Sequence, residues 1–315
     1  MKQHEYDVII VGAGSAGASA AIYSTRYAMK TLMLAGPMPG GLITWASDVE
    51  NYPGFESING FELGKKFVDQ AIKLGSEYKI ETVKAIEKND EMSFKVMTND
   101  GEYFAKSVIL ATGTNHRKLG IEREDEMRGK GLSYCATCDG FFFKDKIVAI
   151  IGGGNSAVEG ANDIAAYAKH VYIIYRSELR AAPIYVENLR NLKNVSEIKG
   201  ANVIELIGDV SLNRVKLDTE FNGSEYLDID GVFIEIGYIP NNELAKSMGI
   251  DLTTGGYVKV DSGMGTNISG VFCAGDINNA SNQFHQQVTS AAEGAIAAQS
   301  AFRYIRGLDW VVEEN

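Results

Sequence analysis

The sequence predicts an α/β fold made of two doubly wound units, and three observations predict it. An apolar strand, Asp7–Val11, runs into the glycine-rich turn Gly12–Gly17, which opens an alanine-rich helical segment. A second strand, Ile147–Ile151, runs into Gly152–Ala157 in the same way. A late apolar strand ends in Gly275-Asp276, a turn suited to the ligand of the first unit. The prediction is therefore two Rossmann-like dinucleotide-binding domains, the second inserted into a discontinuous first domain.

Composition narrows the class of protein. The chain has 315 residues, 45% of them hydrophobic, and a formal net charge of -11. Its length and apolar content suffice for two globular domains, whereas its acidity and lack of clustered basic residues argue against nucleic-acid binding. Neither a secretory signal nor an apolar run of membrane-spanning length is visible. We therefore expect a cytoplasmic protein that does not enter membranes.

The motif Cys135-Ala136-Thr137-Cys138-Asp139 lies just before the second glycine turn and predicts redox chemistry. Zinc requires four ligands, and no second C-x-x-C or histidine pair accompanies this one, so no metal is predicted. A C-x-x-C at the start of a helix lowers a thiol pKa through unpaired backbone N–H groups. Asp139 is the expected proton carrier of this dithiol. Cys273, in an apolar strand, is expected to be a buried residue without redox function.

The order of these motifs resembles that of low-molecular-weight thioredoxin reductases, class II pyridine nucleotide-disulfide oxidoreductases with two dinucleotide-binding domains. The resemblance covers nearly the whole chain. It is carried by Gly12–Gly17, Gly40-Gly41, Glu50–Gly54, Ala111–Gly113, Cys135–Gly140, Gly152–Ala157, Gly237–Asn241, Ala274–Asp276 and Gln286–Ala291.

The resemblance implies a homodimeric flavoprotein, with FAD in residues 1–115 and 247–315 and NAD(P)H in residues 116–246. Hydride would pass from NAD(P)H to FAD, then two electrons to the Cys135/Cys138 disulfide, then by thiol exchange to thioredoxin or a thioredoxin-like protein. By the same resemblance, Cys138 faces the flavin and hinges near 115 and 246 let the inserted domain rotate.

The resemblance and the two glycine turns also nominate cofactor-binding residues. For FAD these are Gly12, Gly14, Ser15, Ala16, Gly17, Gly40, Gly41, Asn51, Ala111, Thr112, Gly113, Gly275, Asp276, Gln286, Gln287 and Val288. For NAD(P)H they are Gly152, Gly154, Asn155, Ser156, Ala157, Arg176 and Arg180.

Two stretches depart from the pattern. The strand after the first glycine turn ends in Ala35-Gly36, where an acid usually binds a ribose. In the second domain NADPH-dependent relatives carry His-Arg-Arg and a third arginine, but this chain has Tyr175-Arg176-Ser177-Glu178-Leu179-Arg180. Arg176 and Arg180 suit a 2′-phosphate, whereas Glu178 repels one. NADPH is favoured, and NADH or another donor such as ferredoxin or a deazaflavin stays open.

Other functions are possible on the same scaffold. A redox-sensing electron-transfer flavoprotein, or a dithiol oxidase or peroxiredoxin-reducing relative, shares the architecture. The intact Gly152–Ala157 turn argues against loss of nicotinamide binding. Phe141–Phe143 either pack in the core, which is favoured for consecutive aromatics, or dock a partner. The tail 308–315 adds a dimer contact or frays.

Overall fold

The computed structural model describes residues 6–36, 38–46, 49–90 and 93–308. The strands of this part, in chain order, are β1 (Tyr6–Val11), β2 (Thr31–Ala35), β3 (Glu77–Ile80), β4 (Val83–Asp90), β5 (Ser93–Thr98), β6 (Glu102–Leu110), β7 (Thr114–His116), β8 (Leu132–Ser133), β9 (Ile147–Ile151), β10 (His170–Tyr175), β11 (Val195–Lys199), β12 (Val203–Ile207), β13 (Arg214–Phe221), β14 (Ser224–Asp228), β15 (Gly231–Ile234), β16 (Tyr238–Pro240) and β17 (Val271–Cys273).

The α-helices are α1 (Ser15–Arg26), α2 (Gly60–Lys73), α3 (Glu124–Met127), α4 (Ala136–Asp139), α5 (Asn155–Ala165), α6 (Pro183–Asn191), α7 (Glu243–Ser247) and α8 (Gln287–Arg306). Short 3₁₀ helices cover Leu42–Trp45, Gly140–Phe143 and Ser281–Gln283. No helix in the described residues is both long enough and apolar enough to cross a bilayer. The tail from residue 309 on, which the sequence predicts either to add a dimer contact or to fray, lies outside the described residues.

The chain divides into two compact units. The first comprises Met1–Asn115 with Ile239–Asn315, and the second comprises His116–Tyr238. The boundaries therefore fall within β7 and β16, whereas the sequence prediction placed the second boundary at 246/247. The region between these two positions, including α7, belongs to the first unit.

The first unit is built on a sheet in the order β3-β2-β1-β6-β5-β4, with β17 paired to β6. β1, β2, β3, β6 and β17 pair in parallel, and β4 and β5 add an antiparallel edge. Parallel strands covered on both faces need continuous apolar runs, and Val8–Val11 of β1 is such a run, buried throughout. Small residues bring α1 and α8 together, since a Cβ on Gly294 would lie 2.1 Å from the Ala16 carbonyl oxygen.

The second unit has its own parallel sheet, ordered β11-β10-β9-β15-β8, and an antiparallel sheet of β12, β13 and β14. Helix α5 covers the parallel sheet with its apolar face. The core between them includes Val148, Ile150, Val158, Ala161, Ile164, Val171, Ile173 and Phe233. The carboxyl ends of β9, β10 and β11 thus lie side by side at one edge, where ligands of doubly wound sheets bind.

Candidate active site in two nucleotide folds

The first glycine turn is closely packed against its surroundings. Gly12 has a φ of +115°, and a Cβ there would lie 2.1 Å from the Ala111 carbonyl oxygen. A Cβ on Gly17 would lie 1.9 Å from the Gly12 carbonyl oxygen. Gly14 precedes α1, and no side chain of a described residue caps the helix there. The first-turn N–H groups of α1 can therefore receive a pyrophosphate.

A cleft of about 430 Å³ opens above this turn within the first unit. The predicted FAD residues that line it are Gly12, Gly14, Ser15, Ala16, Gly40, Gly41, Ala111, Thr112, Gly113, Gly275, Asp276 and Gln287. The other four predicted residues lie outside the lining. Gly17 supports the turn from below, the Asn51 side-chain amide donates to the Gln286 Oε1 at 3.2 Å, and Val288 is exposed.

The sequence did not indicate that Glu81 would line the same cleft. β2 pairs with β3 so that Ala35 lies opposite Ile80, which places the next residue, Glu81, beside the end of β2, where the expected acid is missing. Partial burial acts to raise the pKa of Glu81, but hydrogen bonds from Thr98 and Tyr103 outweigh it and lower the pKa. An ionised carboxylate therefore borders the cleft from a neighbouring strand.

Asp276 enters the cleft from the end of β17. Its Oδ1 accepts a hydrogen bond from the Ser290 hydroxyl at 2.7 Å. Burial raises the pKa of Asp276, while the nearby His285 and the Ser290 hydrogen bond counteract that rise. The buried Glu293 holds the turn itself, because its Oε2 accepts from the Gly275 N–H at 2.8 Å and the Asn278 amide at 2.7 Å. Glu293 was not among the residues predicted from the sequence.

The dithiol lies in the second unit, where Cys135 and Cys138 form a disulfide with their Cα atoms 5.2 Å apart. Cys135 precedes α4, and its Sγ accepts from the Cys138 N–H at 3.2 Å. The Ser133 hydroxyl accepts from the Cys135 N–H at 3.0 Å and donates to the Asp139 Oδ2 at 2.6 Å. The predicted catalytic residues Cys135, Cys138 and Asp139 are thus joined in one local network through Ser133.

A second carboxyl reaches the dithiol helix from the end of β15. The Glu235 Oε1 accepts from the Ala136 N–H at 2.8 Å, across a sequence separation of 99 residues. Burial raises the pKa of Glu235 to about 7, although the Ala136 hydrogen bond acts to lower it. Two acids, Asp139 and Glu235, therefore border the dithiol segment, of which the sequence identified only the first.

The raised pKa of Glu235 predicts a pH dependence of stability. Folding raises this pKa from 4.5, so between about pH 4.5 and 7 the unfolded chain ionises first and the fold loses stability as pH rises. The loss attributable to Glu235 is about 3 kcal/mol, complete above pH 7. We expect Glu235→Gln, which keeps an acceptor for Ala136, to remove this loss.

Urea denaturation at pH 5 and pH 8 measures the effect. From pH 5 to pH 8 the free energy of unfolding of the wild type should decrease relative to that of E235Q. Glu205→Gln, which removes an exposed carboxylate on β12, should show the same pH profile as the wild type. Parallel pH profiles of E235Q and the wild type would contradict the prediction.

Phe141, Phe142 and Phe143 follow the dithiol in a 3₁₀ helix. The prediction that consecutive aromatics pack in the core is wrong for two of them, since Phe141 is 61% and Phe142 37% exposed. Phe143 does pack inward, with its ring 5.1 Å from that of Phe233. The 3₁₀ helix therefore points the three rings in different directions. Phe141 and Phe142 form an exposed apolar patch that directly follows the dithiol helix α4.

The second glycine turn has the same construction as the first. Gly152 has a φ of +147°, and a Cβ there would lie 2.2 Å from the Glu235 carbonyl oxygen. Gly154 precedes α5, which no described side chain caps, Asn155 and Ser156 are exposed, and Ala157 is buried. The Arg180 N–H donates to the Gly153 carbonyl at 2.6 Å, so the segment 176–180 lies against the turn. Arg176 and Arg180 are exposed on this segment, beside the uncapped N-terminus of α5, where the sequence predicts a dinucleotide.

Cys273 is fully buried in β17, and burial raises the pKa of its thiol well above the ordinary value. An inert thiol in the core is what the sequence predicted for this position. Among the described residues, no three His, Cys, Asp or Glu side chains are grouped as metal ligands would be.

Known proteins share this arrangement over nearly their whole length. The family model of pyridine nucleotide-disulphide oxidoreductases matches residues 6–297. The thioredoxin reductase of Listeria innocua is 41% identical over 312 residues, covering 98% of this chain and 96% of that protein. That of Bacillus subtilis is 40% identical over 311 residues, covering 96% of each. The crystal structure of thioredoxin reductase from Streptococcus pyogenes gives a TM-score of 0.87 at 34% identity, covering 96% of this chain and 99% of that chain.

These matches confirm the α/β fold with two dinucleotide-binding domains. They also confirm an FAD-dependent oxidoreductase that works with a pyridine nucleotide and a redox-active disulfide. The chain therefore belongs to the thioredoxin reductases of the pyridine nucleotide-disulphide oxidoreductase family.

Proposed function

We propose that this chain is a thioredoxin-disulfide reductase whose second unit binds NADPH and whose first unit binds FAD. Its electrons leave through Cys135 and Cys138 to thioredoxin or a thioredoxin-like protein. The observation that carries the proposal is the Cys135–Cys138 disulfide, held at the start of α4 in the unit that also contains the second glycine turn. Names of relatives matched over nearly the whole chain support the same substrate.

The glycine cradle of the first unit fits FAD. Side chains at Gly12 and Gly17 would collide with backbone, so the turn is free for a pyrophosphate at α1, and Asp276 offers a carboxylate to a sugar hydroxyl. When bound, FAD supplies a two-electron carrier between a nicotinamide and a disulfide. The other FAD residues predicted from the sequence are proposed to line or support the same site.

The dithiol performs the exchange with the partner. In the reduced enzyme one cysteine thiolate attacks the partner disulfide, forms a mixed disulfide and expels a partner thiolate. The second cysteine attacks its neighbour's sulfur, which restores the Cys135–Cys138 disulfide and releases the partner as a dithiol. Asp139, hydrogen bonded to Ser133 beside the dithiol, is placed to hold the proton that the departing thiolate requires.

The exposed Phe141 and Phe142 support a protein substrate. Large apolar side chains next to a reactive disulfide provide an area that a partner can cover on docking. A small-molecule disulfide would not need such an area.

An anaerobic titration of the holoenzyme with NADPH and then NADH tests the electron path. Loss of oxidised-flavin absorbance, followed by reduction of a thioredoxin from the same organism on mixing, is expected with NADPH. Bleaching without reduction of any such thioredoxin would overturn the proposed substrate. If dithionite alone reduces the flavin, the donor is not a nicotinamide.

That last outcome would favour the second candidate function. Ser177 stands where the resemblance implies an arginine, and Glu178 adds a negative charge that repels a 2′-phosphate. This departure motivates a ferredoxin or deazaflavin donor, or a redox-sensing role. Reduction of the flavin by either of those donors, in place of both nicotinamides, identifies the alternative.

We also propose a homodimer in a reducing, cytoplasmic compartment. Helix α2 exposes Phe61 and Ile72, apolar side chains suited to a subunit contact, and a buried free thiol with a catalytic C-x-x-C is typical of reducing compartments. Size-exclusion chromatography with light scattering measures the subunit number, and a monomer at micromolar concentration would contradict the dimer.

A further inference from the structure

The sheet of the second unit brings together charged residues that are distant in the sequence. β10 pairs in parallel with β9 on one side and β11 on the other. The register places Tyr175, the last residue of β10, opposite Lys199, the last residue of β11. The glycine turn, the segment 176–180 and Lys199 therefore lie at the carboxyl ends of three adjacent strands.

This order matches the layout of a bound dinucleotide. The pyrophosphate lies over the glycine turn, and the adenosine ribose lies at the end of the next strand. Residues 176–180 are packed on that turn, since the Arg180 N–H donates to the Gly153 carbonyl at 2.6 Å. The expected ribose position at the end of β10 is therefore next to the end of β11, where Lys199 is the last residue.

The charges at this edge favour an anion. The ammonium of Lys199 lies 2.5 Å from the Glu178 Oε1, so it offsets the carboxylate that would repel a phosphate. Arg176 and Arg180 form no ion pair with any residue of the described chain. Together the two arginines, Lys199 and Glu178 leave an excess of positive charge.

Glu197 on β11, a second carboxylate near Lys199, already accepts hydrogen bonds from other residues. Glu197 accepts from the Tyr175 hydroxyl at 2.6 Å and from Arg190 at 2.8 Å. Both oxygens of Glu197 thus have hydrogen-bond donors on β10 and α6, so Glu197 does not need Lys199 as a donor. A lysine has three donors, so Lys199 can contact a phosphate while it remains close to Glu178.

We propose that Lys199 completes a 2′-phosphate site with Arg176 and Arg180, and that it makes the site selective for NADPH by offsetting the repulsive charge of Glu178. The proposal rests on the proposed function only in placing a pyridine dinucleotide in the second unit. Lys199 takes the part of the arginine that Ser177 replaces, but it reaches the site from a different strand.

If the Lys199–Glu178 ion pair were only a surface interaction, nucleotide binding would not depend on it. Both side chains are largely exposed, Lys199 at 54% and Glu178 at 72%, and exposed ion pairs contribute little to stability. Loss of Lys199 should then change neither nucleotide binding nor folding. The ligand selectivity of a Lys199 variant therefore separates the two roles.

Calorimetric titration of the oxidised holoenzyme with adenosine 2′,5′-bisphosphate and with 5′-AMP tests the site. For Lys199→Met we expect the bisphosphate to bind about tenfold more weakly, since a charge-assisted contact is lost, with 5′-AMP changed less than twofold. Glu178→Gln should tighten the bisphosphate and leave 5′-AMP unaffected. Lys169→Met removes an exposed lysine just before β10, at the opposite edge of the sheet, and should behave as the wild type does. Melting temperature and FAD content of each variant confirm intact folding.

The proposal is overturned if K199M weakens both nucleotides equally, if it weakens neither, or if the wild type prefers 5′-AMP. A wild type that reduces thioredoxin with NADH and prefers 5′-AMP would keep the proposed reductase function while removing this inference. If neither nucleotide binds and neither NADPH nor NADH bleaches the flavin, the nicotinamide donor itself is excluded.

Discussion

Cys138→Ser enzyme should lose thioredoxin reduction by on the order of 10³-fold or more, yet its flavin should still be bleached by NADPH. The exchange needs both sulfurs, because one forms the mixed disulfide and the other resolves it. Cys135→Ser should lose the same activity, since the two cysteines form one disulfide. In the proposed path, hydride transfer to the flavin comes before electron transfer to the disulfide. The variant should therefore keep the first half of the reaction, in which NADPH bleaches the flavin. Stopped-flow absorbance and a thioredoxin-coupled assay measure the two halves separately.

Cys273→Ala is the matched control for a lost cysteine. Cys273 is buried within β17, where its thiol serves packing, so this variant should keep thioredoxin reduction while losing some stability. If Cys138→Ser reduces thioredoxin at the wild-type rate, the C-x-x-C does not transfer electrons to the partner. Loss of activity in Cys273→Ala at unchanged FAD content would give the third cysteine a role that we do not assign to it.

Gly17→Ala should weaken FAD binding at least about tenfold. Its Cβ would be 1.9 Å from the Gly12 carbonyl oxygen, so the turn must open and the N–H groups of α1 must move away from the pyrophosphate. A decrease of about 1.4 kcal/mol in binding free energy lowers affinity tenfold. Displacing a backbone turn costs at least that much free energy. We expect FAD added back to apo-G17A to bind with a Kd at least about tenfold higher than that of the wild type.

Gly101→Ala tests whether any added methyl group has this effect. Gly101 lies between β5 and β6 in the same unit, and a Cβ there would meet nothing closer than 3.7 Å. Its FAD content should equal that of the wild type. Circular dichroism of both variants separates loss of cofactor from unfolding. If folded G17A binds FAD as tightly as the wild type does, the first glycine turn does not hold the pyrophosphate.

The sequence predicted those features whose signal is local. A strand followed by a glycine turn and a helix is written in neighbouring residues, as Gly12 and Gly152 show, because backbone conformation there depends on nearby side chains. The C-x-x-C spacing likewise brings Cys135 and Cys138 together within one turn of chain. The predicted family, fold class and redox chemistry follow from these motifs, and the matches over nearly the whole chain confirm them.

The sequence alone settled the glycine turns, the dithiol and the class of enzyme, whereas strand pairing settled which distant side chains join them. Glu81 lines the cleft beside the end of β2 because β3 lies next to that strand, Glu235 reaches Ala136 from the end of β15, and Lys199 reaches Glu178 from β11. No local pattern marks these three residues, since a solitary Glu or Lys at a strand end is common on any protein surface. Their partners depend on sheet order and register, which are set by long-range packing of the whole core.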